Sequence, residues 1–359
     1  MSPSAEESPQ KVPSAAREIF ADLNKQVVGQ IPAKRDLATL LAMHLQWFSQ
    51  PNDEHTAPNA LIIGPTGVGK THAIRTAAKT LNIPLAIVDA TRLGAFGGGD
   101  SLEDVLIELL SASRRLIKDG RLPRGAVEDE DLPELDEVDV ARRGIVFIDE
   151  FDKLAIRGRP TSDRNELMQR RLLQFIDGTT ITLNPTADAS EAEVIFNTAG
   201  LLFVVAGAFT DLTSDPGGRS QETMRGLDLH DHVIPEDLVR FGFMKELIAR
   251  VPVIIEFVDL IEADLREILK TPEVNPAVFY TKYLASLGTE LVITDEAREW
   301  MASNAAKLEI GARGLHQVMF PLLALLSQQI EEERAPKVFL DLEKLEALNS
   351  EIESRRRGK

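Results

Sequence analysis

The chain has 359 residues, no cysteine and a net charge of −17, because 57 acidic residues outnumber 40 basic ones. This charge weighs against a nucleic-acid binder, whose affinity rests on Lys and Arg neutralising phosphates. The absence of cysteine excludes disulfides, thiolate zinc sites and cysteine nucleophiles. Neither a membrane span of ~18 apolar residues nor a signal-peptide pattern is found, so we expect a soluble, cytoplasmic protein with no membrane partner.

The first part of the chain alternates helical and strand patterns. Residues 1–13 are rich in Pro, Ser and Glu, which predicts a disordered tail. Apolar periodicity then predicts the regular elements. These are helices over 15–23 and 33–48, a strand over 59–63, a helix over 70–81, a strand over 85–89 and a helix over 102–117.

An acidic insertion follows at about 119–140. Eight of the twelve residues from 128 to 139 are acidic. Charge runs of this kind usually form a solvated surface loop. A docking site for a basic partner is the alternative.

The remaining pattern divides the chain into two domains. Apolar strands over 144–148 and 201–206 lack polar alternation, which is typical of a parallel sheet covered on both faces. From about residue 259 helical patterns dominate. The predicted elements there are helices over 260–269, 277–287, 295–307 and 315–333, and a strand over 337–342. We predict an α/β domain over 14–258, a smaller, mostly helical domain over 259–348 and a charged tail over 349–359.

A phosphate-binding motif follows the first strand. The sequence Gly64-Pro65-Thr66-Gly67-Val68-Gly69-Lys70-Thr71 fits G-x-x-x-x-G-K-[ST], between a predicted strand and a predicted helix. Its glycines let backbone N–H groups surround phosphate oxygens at the positive end of the helix. Lys70 is predicted to neutralise the β- and γ-phosphates of ATP, and Thr71 to bind Mg²⁺. The alternative is a simple glycine-rich turn.

Two carboxylates end the strand over 144–148. Asp149 is placed to hold Mg²⁺, and Glu150 to polarise an attacking water as general base. An apolar run that ends in Asp-Glu is often only a strand entering a loop. Together with a phosphate loop in the same sheet, it favours ATP hydrolysis over phosphoryl transfer to a metabolite.

Several motifs in one order resemble the AAA+ ATPases of the ClpX/HslU branch of protein unfoldases, over residues 20–345. The resemblance implies an AAA+ P-loop α/β domain, a helical lid, ATP with Mg²⁺, and a homohexameric ring that acts on proteins. The matching stretches are Val27-Val28-Gly29-Gln30, Gly64–Thr71, Val88-Asp89-Ala90-Thr91, Arg143–Asp152, Gly207-Ala208-Phe209, Pro235-Glu236-Asp237-Leu238 and Gly311-Ala312-Arg313-Gly314-Leu315.

The resemblance also assigns roles to single residues. Val28 and Gly29 match the adenine pocket, where the alternative is a plain turn before a helix. Arg250 matches the arginine finger that reaches the γ-phosphate of the neighbouring subunit, and Arg313 matches the sensor-2 arginine. For both arginines the alternative is a surface charge. Phe96 matches a pore-loop aromatic that grips polypeptide, but three glycines follow it, so a flexible loop with an incidental aromatic is the alternative.

Other segments depart from the ClpX pattern. The cysteine-rich zinc domain is absent, and the segment 212–234 lacks the aliphatic-Gly-Phe loop that docks a peptidase. Phe241-Gly242-Phe243 resembles that loop superficially, but by position we interpret it as structural. A polar sensor-1 residue is not evident, because Ala206 and Gly207 stand at its place with Thr210 nearby.

These observations favour ATP-driven unfolding or remodelling of a specific protein client, without a Clp-type peptidase. One alternative is an AAA+ motor that acts on nucleic acid, which the negative charge disfavours. The other is a nucleotide-gated scaffold, which the complete set of Lys70, Asp149, Glu150 and Arg250 disfavours.

Overall fold

The computed structural model describes residues 12–49, 57–93, 101–124, 136–157, 162–184, 193–210, 212, 233–333 and 335–357. The chain folds into two compact units. The first unit comprises Met1–Asn24, Ile31–Gly64 and Lys70–Phe257, and the second comprises Lys25–Gln30, Pro65–Gly69 and Val258–Lys359.

A parallel sheet forms the centre of the first unit. The strands of this unit are β1 (Ala60–Ile63), β2 (Leu85–Asp89), β3 (Ile145–Asp149), β4 (Thr180–Leu183), β5 (Val194–Asn197), β6 (Leu202–Gly207) and β7 (Val253–Glu256). Of these described strands, five form the sheet in the order β2-β3-β6-β1-β7, while β4 and β5 make a separate antiparallel hairpin. All five run parallel, so one edge of the sheet collects their starts and the other collects their ends.

Helices cover this sheet. They are α1 (Val12–Gln26), α2 (Ile31–Ser49), α3 (Lys70–Leu81), α4 (Leu102–Lys118), α5 (Glu137–Ala141), α6 (Ser162–Ile176), α7 (Pro235–Phe241) and α8 (Lys245–Ile248). The described residues of β1 and β6 are buried along their whole length. Burial on both faces explains why these strands are continuous apolar runs rather than alternating ones.

Ion pairs link both ends of the acidic insertion to neighbouring helices. Arg124 forms ion pairs with Glu18 and Asp22 of α1. At the other end, Glu137 accepts two hydrogen bonds from Arg114 of α4, at 2.6 and 2.7 Å. Only the end of the predicted loop is corrected, because the short helix α5 begins at Glu137. Residues 125–135 lie outside the described part of the chain.

The second unit is mostly helical. Its elements are α9 (Glu262–Ile268), α10 (Ala277–Ser286), β8 (Glu290–Ile293), α11 (Asp295–Ala306), α12 (Arg313–Glu333), β9 (Lys337–Leu340) and α13 (Leu342–Arg357). Strands β8 and β9 pair in parallel. The helices enclose a separate apolar core that includes Met301, Met319 and Leu326.

Both predicted tails are shorter than expected. Helix α1 begins at Val12 within the predicted N-terminal tail, whose first eleven residues lie outside the description. The charged tail over 349–359 is corrected, because α13 continues through it to Arg357. Leu345 and Leu348 are buried and Ile352 packs against the same core. This three- and four-residue spacing is helical, although charged residues surround it.

The predicted α/β fold is confirmed, with a parallel sheet, flanking helices and a mostly helical C-terminal part. Several short elements were missed: the β4-β5 hairpin, β7 and β8. Among the described helices, none combines the length and the apolar character needed to cross a membrane.

A buried histidine joins helix α2 to the turn before β3. The His44 ring is 2% exposed, and its Nε2 donates a 2.7 Å hydrogen bond to the carbonyl oxygen of Arg143. Burial lowers the pKa of His44 from 6.5 to about 4; the Arg143 charge adds to this, and the hydrogen bond opposes it. At pH values between about 4 and 6.5 the His44 ring is therefore neutral in the folded protein and protonated in the unfolded chain.

His44 should make the protein less stable as the pH falls from 6.5 to about 4. Over that interval the unfolded chain binds a proton that the folded chain does not, so the free energy of unfolding drops by about 3 kcal/mol. His44→Gln should lose this dependence, because the amide can donate to the same carbonyl and does not titrate. Urea unfolding of both proteins at several pH values measures it, and identical pH profiles would contradict the assignment.

Candidate functional site

The phosphate loop begins where β1 ends. Gly64 N donates to the carbonyl of Gly207 at the end of β6, at 3.3 Å, and Phe257 N donates to Ile63 O at 2.7 Å. A Cβ on Gly64 would lie 2.3 Å from the carbonyl oxygen of Phe257. Only glycine fits between these strand ends, so the loop starts from a fixed point in the first unit.

Lys70 and Thr71 open helix α3, as the motif predicts. Lys70 is buried, and its Nζ donates to the carbonyl of Gly64 at 2.5 Å, so the ammonium lies over the start of the loop. Thr71 Oγ1 donates to Oδ2 of Asp149 at 2.8 Å. The structure therefore brings the lysine, the hydroxyl and the β3 carboxylate together within the first unit.

Glu150 adopts an unusual backbone conformation. Its φ is +54°, in the left-handed region, and its N–H donates to Oδ1 of Asp149 at 2.9 Å. Non-glycine residues rarely adopt this conformation, and they cluster at functional sites. It turns the chain from β3 into the short 3₁₀ helix Phe151–Leu154 and leaves the Glu150 side chain exposed.

The oxygens of Thr71 and Asp149 fit Mg²⁺. A hydroxyl and a carboxylate are the hard oxygen ligands that Mg²⁺ takes, usually with phosphate and water completing its shell. Within the described residues, no group of three or more His, Cys, Asp or Glu side chains is placed to hold a metal by itself. Two protein oxygens fill only part of the six-coordinate shell of Mg²⁺, which leaves positions for phosphate and water.

The second unit contains the middle of the phosphate loop. Ala312 N donates to the carbonyl of Gly67 at 3.0 Å. A Cβ on Gly67, whose φ is +80°, would lie 2.3 Å from Ile310 O. Arg313 begins α12 directly after this contact; its side chain is exposed, without an ion pair to another described residue. Arg313, the predicted sensor-2 arginine, is therefore the residue after Ala312, which contacts the loop segment Pro65–Gly69 of the same unit.

The predicted adenine-pocket residues also belong to the second unit. Val28 packs against the helical core, and Gly29 has a φ of +66°. The next residue, Gln30, belongs to the same motif, although the sequence predicts no role for it. The Gln30 side chain forms two hydrogen bonds with the backbone of Val258: Nε2 donates to the carbonyl oxygen at 2.7 Å, and Oε1 accepts from the N–H at 3.0 Å.

Arg250 lies away from Lys70, Asp149 and Glu150. It lies two residues after α8 ends at Ile248, and Asn59, the residue before β1, donates from Nδ2 to the Arg250 carbonyl at 3.0 Å. Arg250 is thus at the edge of the sheet where strands begin, whereas Asp149 and Glu150 lie where they end. The four residues of β1 separate these edges by about 13 Å.

The place predicted to lack a sensor-1 residue is tightly packed. A Cβ on Gly207 would lie 2.6 Å from the Phe209 ring and 2.8 Å from Oδ1 of Asp152. The segment Phe241-Gly242-Phe243 lies in the same region: the Phe243 ring stacks on Phe151 with centroids 4.7 Å apart. The predicted pore-loop residue Phe96 lies outside the described residues.

Comparisons with known proteins agree with this geometry. The family model of the AAA domain (Cdc48 subfamily) matches residues 55–254. The chain is 31% identical to the ATP-dependent Clp protease ATP-binding subunit ClpX of Bacteroides fragilis, over 91% of this chain and 80% of the relative. It is 30% identical to ClpX 2 of Wolinella succinogenes, over 88% and 77%, and 32% identical to ClpX of Azotobacter vinelandii, over 83% and 70%.

Two glycines of the loop offer a matched test of its packing. Gly67 and Gly69 both have left-handed φ values, but a Cβ on Gly69 would meet nothing within 4 Å. Gly69→Ala should cost only the backbone strain of about 1–2 kcal/mol. Gly67→Ala should lose about 1–3 kcal/mol more by overlap with Ile310. Urea unfolding without nucleotide measures the difference, and equal losses would show that the Gly67 contact is not formed.

Proposed function

This chain belongs to the AAA+ ATPases as a ClpX-like member, and on that premise we propose that it forms a homohexameric ring that unfolds or remodels a protein client. ATP hydrolysis drives the work. Each predicted site residue has a role in this cycle. Arg313 is the proposed sensor-2 arginine, and Val28 and Gly29 are the proposed adenine-pocket residues.

The residues at the ends of β1 and β3 divide the chemistry among them. Lys70 neutralises the β- and γ-phosphates, and its position over the loop supports this role. Thr71 and Asp149 hold Mg²⁺ through the oxygens that already contact each other. When bound, Mg²⁺ neutralises charge that develops on the phosphate oxygens. Glu150 is exposed, as a general base that must meet a water molecule has to be.

One observation carries the proposed ring: Arg250 projects from the opposite edge of the sheet. Sheet and arginine belong to one unit, so motion between units does not bring Arg250 to the protomer's own Lys70 and Asp149. A guanidinium that stabilises the γ-phosphoryl group in hydrolysis must then come from a neighbouring subunit. Each ATP would lie at an interface, and a closed ring gives every site its arginine.

A protein client fits the relatives and the charge. The relatives' names describe ATP-binding subunits of an ATP-dependent protease, which acts on proteins. The net charge of −17 disfavours nucleic acid as the client. Phe96 remains our predicted gripping residue, and a cytoplasmic location remains a prediction.

We propose that no Clp-type peptidase takes part. The tripeptide Phe241-Gly242-Phe243 is the nearest sequence to a docking loop, yet Phe243 is buried and a Cβ on Gly242 would lie 2.5 Å from Ile156 O. A loop that docks a partner has to be exposed, so this segment does not serve. The segment 213–232 lies outside the described residues, and its sequence lacks the motif.

Mixed rings test whether the site is shared. Glu150→Gln should bind ATP without turning it over, and Arg250→Ala should reduce turnover by about 10³-fold. Mixing the two variants should restore part of the activity, because some interfaces then join an intact Glu150 to an intact Arg250. Each variant mixed with itself is the control. If no mixture recovers ATPase activity, or wild type turns over ATP as a monomer in light scattering, the shared site is wrong.

The absence of a peptidase partner has its own test. The Glu150→Gln ring, held in its ATP state, should sediment separately from a Clp-type peptidase at micromolar concentrations of both. A bacterial ClpX with its peptidase is the positive control. Co-sedimentation of this chain with the peptidase would contradict the proposal without affecting the ATPase assignments.

A further inference from the structure

Arg250 forms an ion pair with a residue that has no assigned role. Its Nε contacts Oδ1 of Asp177, the residue that directly follows α6. The Arg250 side chain is 54% exposed and the Asp177 side chain 38% exposed. Pairs this exposed contribute little to folding stability. A role for this pair is therefore to be sought in where it holds the guanidinium.

Asp177 is attached to a rigid part of the first unit. Thr198 is fully buried, and its hydroxyl donates to the carbonyl of Phe175 in the last turn of α6, at 2.9 Å. The same hydroxyl accepts from Thr179 N at 2.9 Å. Asp177 lies between these two fixed points, and its N–H donates to Leu173 O. The carboxylate is thus presented from a short, well-anchored segment.

The backbone of Arg250 is fixed independently. Asn59 donates to its carbonyl while accepting a 2.9 Å hydrogen bond at Oδ1 from Phe203 N in β6. The neighbouring Ile248 and Val251 are buried. The backbone of Arg250 is thus held in place, while its side chain extends into solvent. The ion pair with Asp177 orients the guanidinium of that side chain.

The atoms of the contact leave the guanidinium able to act. Its donors form a planar fork in which Nε is one position and the two Nη groups are the others. The contact at Nε leaves Nη donors for a second anion. A carboxylate at this position therefore orients the group without occupying all of its donors.

We propose that Asp177 positions Arg250 for the γ-phosphate of the neighbouring subunit. This inference rests on the proposed function, since it takes Arg250 as the arginine that acts across the interface. Asp177 is a positioning residue: it acts on the reaction through Arg250, which its carboxylate contacts. The ion pair restricts the Arg250 side chain to fewer conformations before the reaction. Less conformational entropy is then lost in reaching the transition state, which raises the rate of the chemical step.

The opposite role would give the opposite result. A carboxylate that held Arg250 away from the phosphate would act as a latch, and its removal would raise turnover. In a positioning role, Asp177→Ala should lower kcat about tenfold with little change in KM, because the lost interaction acts in the transition state. Asp177→Glu should recover part of the loss by keeping the charge.

A matched control lies on α6, the helix that Asp177 follows. Glu166 and Arg170 of α6 form an ion pair of similar exposure, with 2.8 Å between Oε1 and Nη2. Glu166→Ala should leave kcat unchanged. Ring size in light scattering and the thermal midpoint should be unchanged for Asp177→Ala, since the pair is exposed.

Mixed rings decide whether Asp177 acts through Arg250. Subunits with Glu150→Gln donate the arginine, and subunits with Arg250→Ala supply the intact base. Adding Asp177→Ala to the donor should reduce the restored activity about tenfold, since the arginine there loses its orientation. Adding it to the acceptor, which has no Arg250, should change nothing.

Each other result overturns the inference in a recognisable way. An equal loss from donor and acceptor would show a general structural effect of Asp177. A gain in the donor would show a latch. If the mixture shows no restored activity even with Asp177 intact, the proposed function fails and the inference fails with it, whereas loss of the Asp177 effect alone leaves the shared site standing.

Discussion

The direction of the strands is the constraint from which the site follows. Because β1, β3 and β6 run parallel, their C-terminal ends bring Gly64, Asp149 and Gly207 to one edge of the sheet. The contact between Thr71 and Asp149 forms there, within the first unit. The same polarity places Arg250 at the other edge. The parallel direction of the strands thus brings Thr71 and Asp149 together and places Arg250 at the opposite edge.

Close packing at glycine positions sets the shape of the phosphate loop. Gly64 is enclosed by the carbonyl of Phe257 within the first unit, and Gly67 by the carbonyl of Ile310 within the second. Both contacts involve backbone atoms, which cannot move aside as a flexible side chain would. The motif therefore needs glycine here for space as well as for a left-handed backbone. The pattern in the sequence suggests only the second reason.

Strong local signals made some parts of this structure predictable. The phosphate motif and the apolar strand before Asp149 indicated the central sheet, because a continuous buried run and a specific loop chemistry each have few alternatives. The edge strand β7 and the hairpin have only four residues per strand, too few for a clear period. Helix α13 was not predicted because its many charged residues obscure the apolar spacing of Leu345, Leu348 and Ile352. The ion pair of Asp177 and Arg250 depends on tertiary packing, which no local pattern encodes.

One short strand links the two roles proposed for each subunit. Strand β1 ends at the loop that receives the protomer's own ATP, and it begins after Asn59, which holds the backbone of Arg250. The residues of β1 are buried and paired on both sides, by β6 and β7. Packed strands of this kind transmit strain rather than absorb it. A displacement of β1 at its phosphate loop should therefore also move Asn59 and the backbone of Arg250, the arginine proposed to act at the neighbouring site.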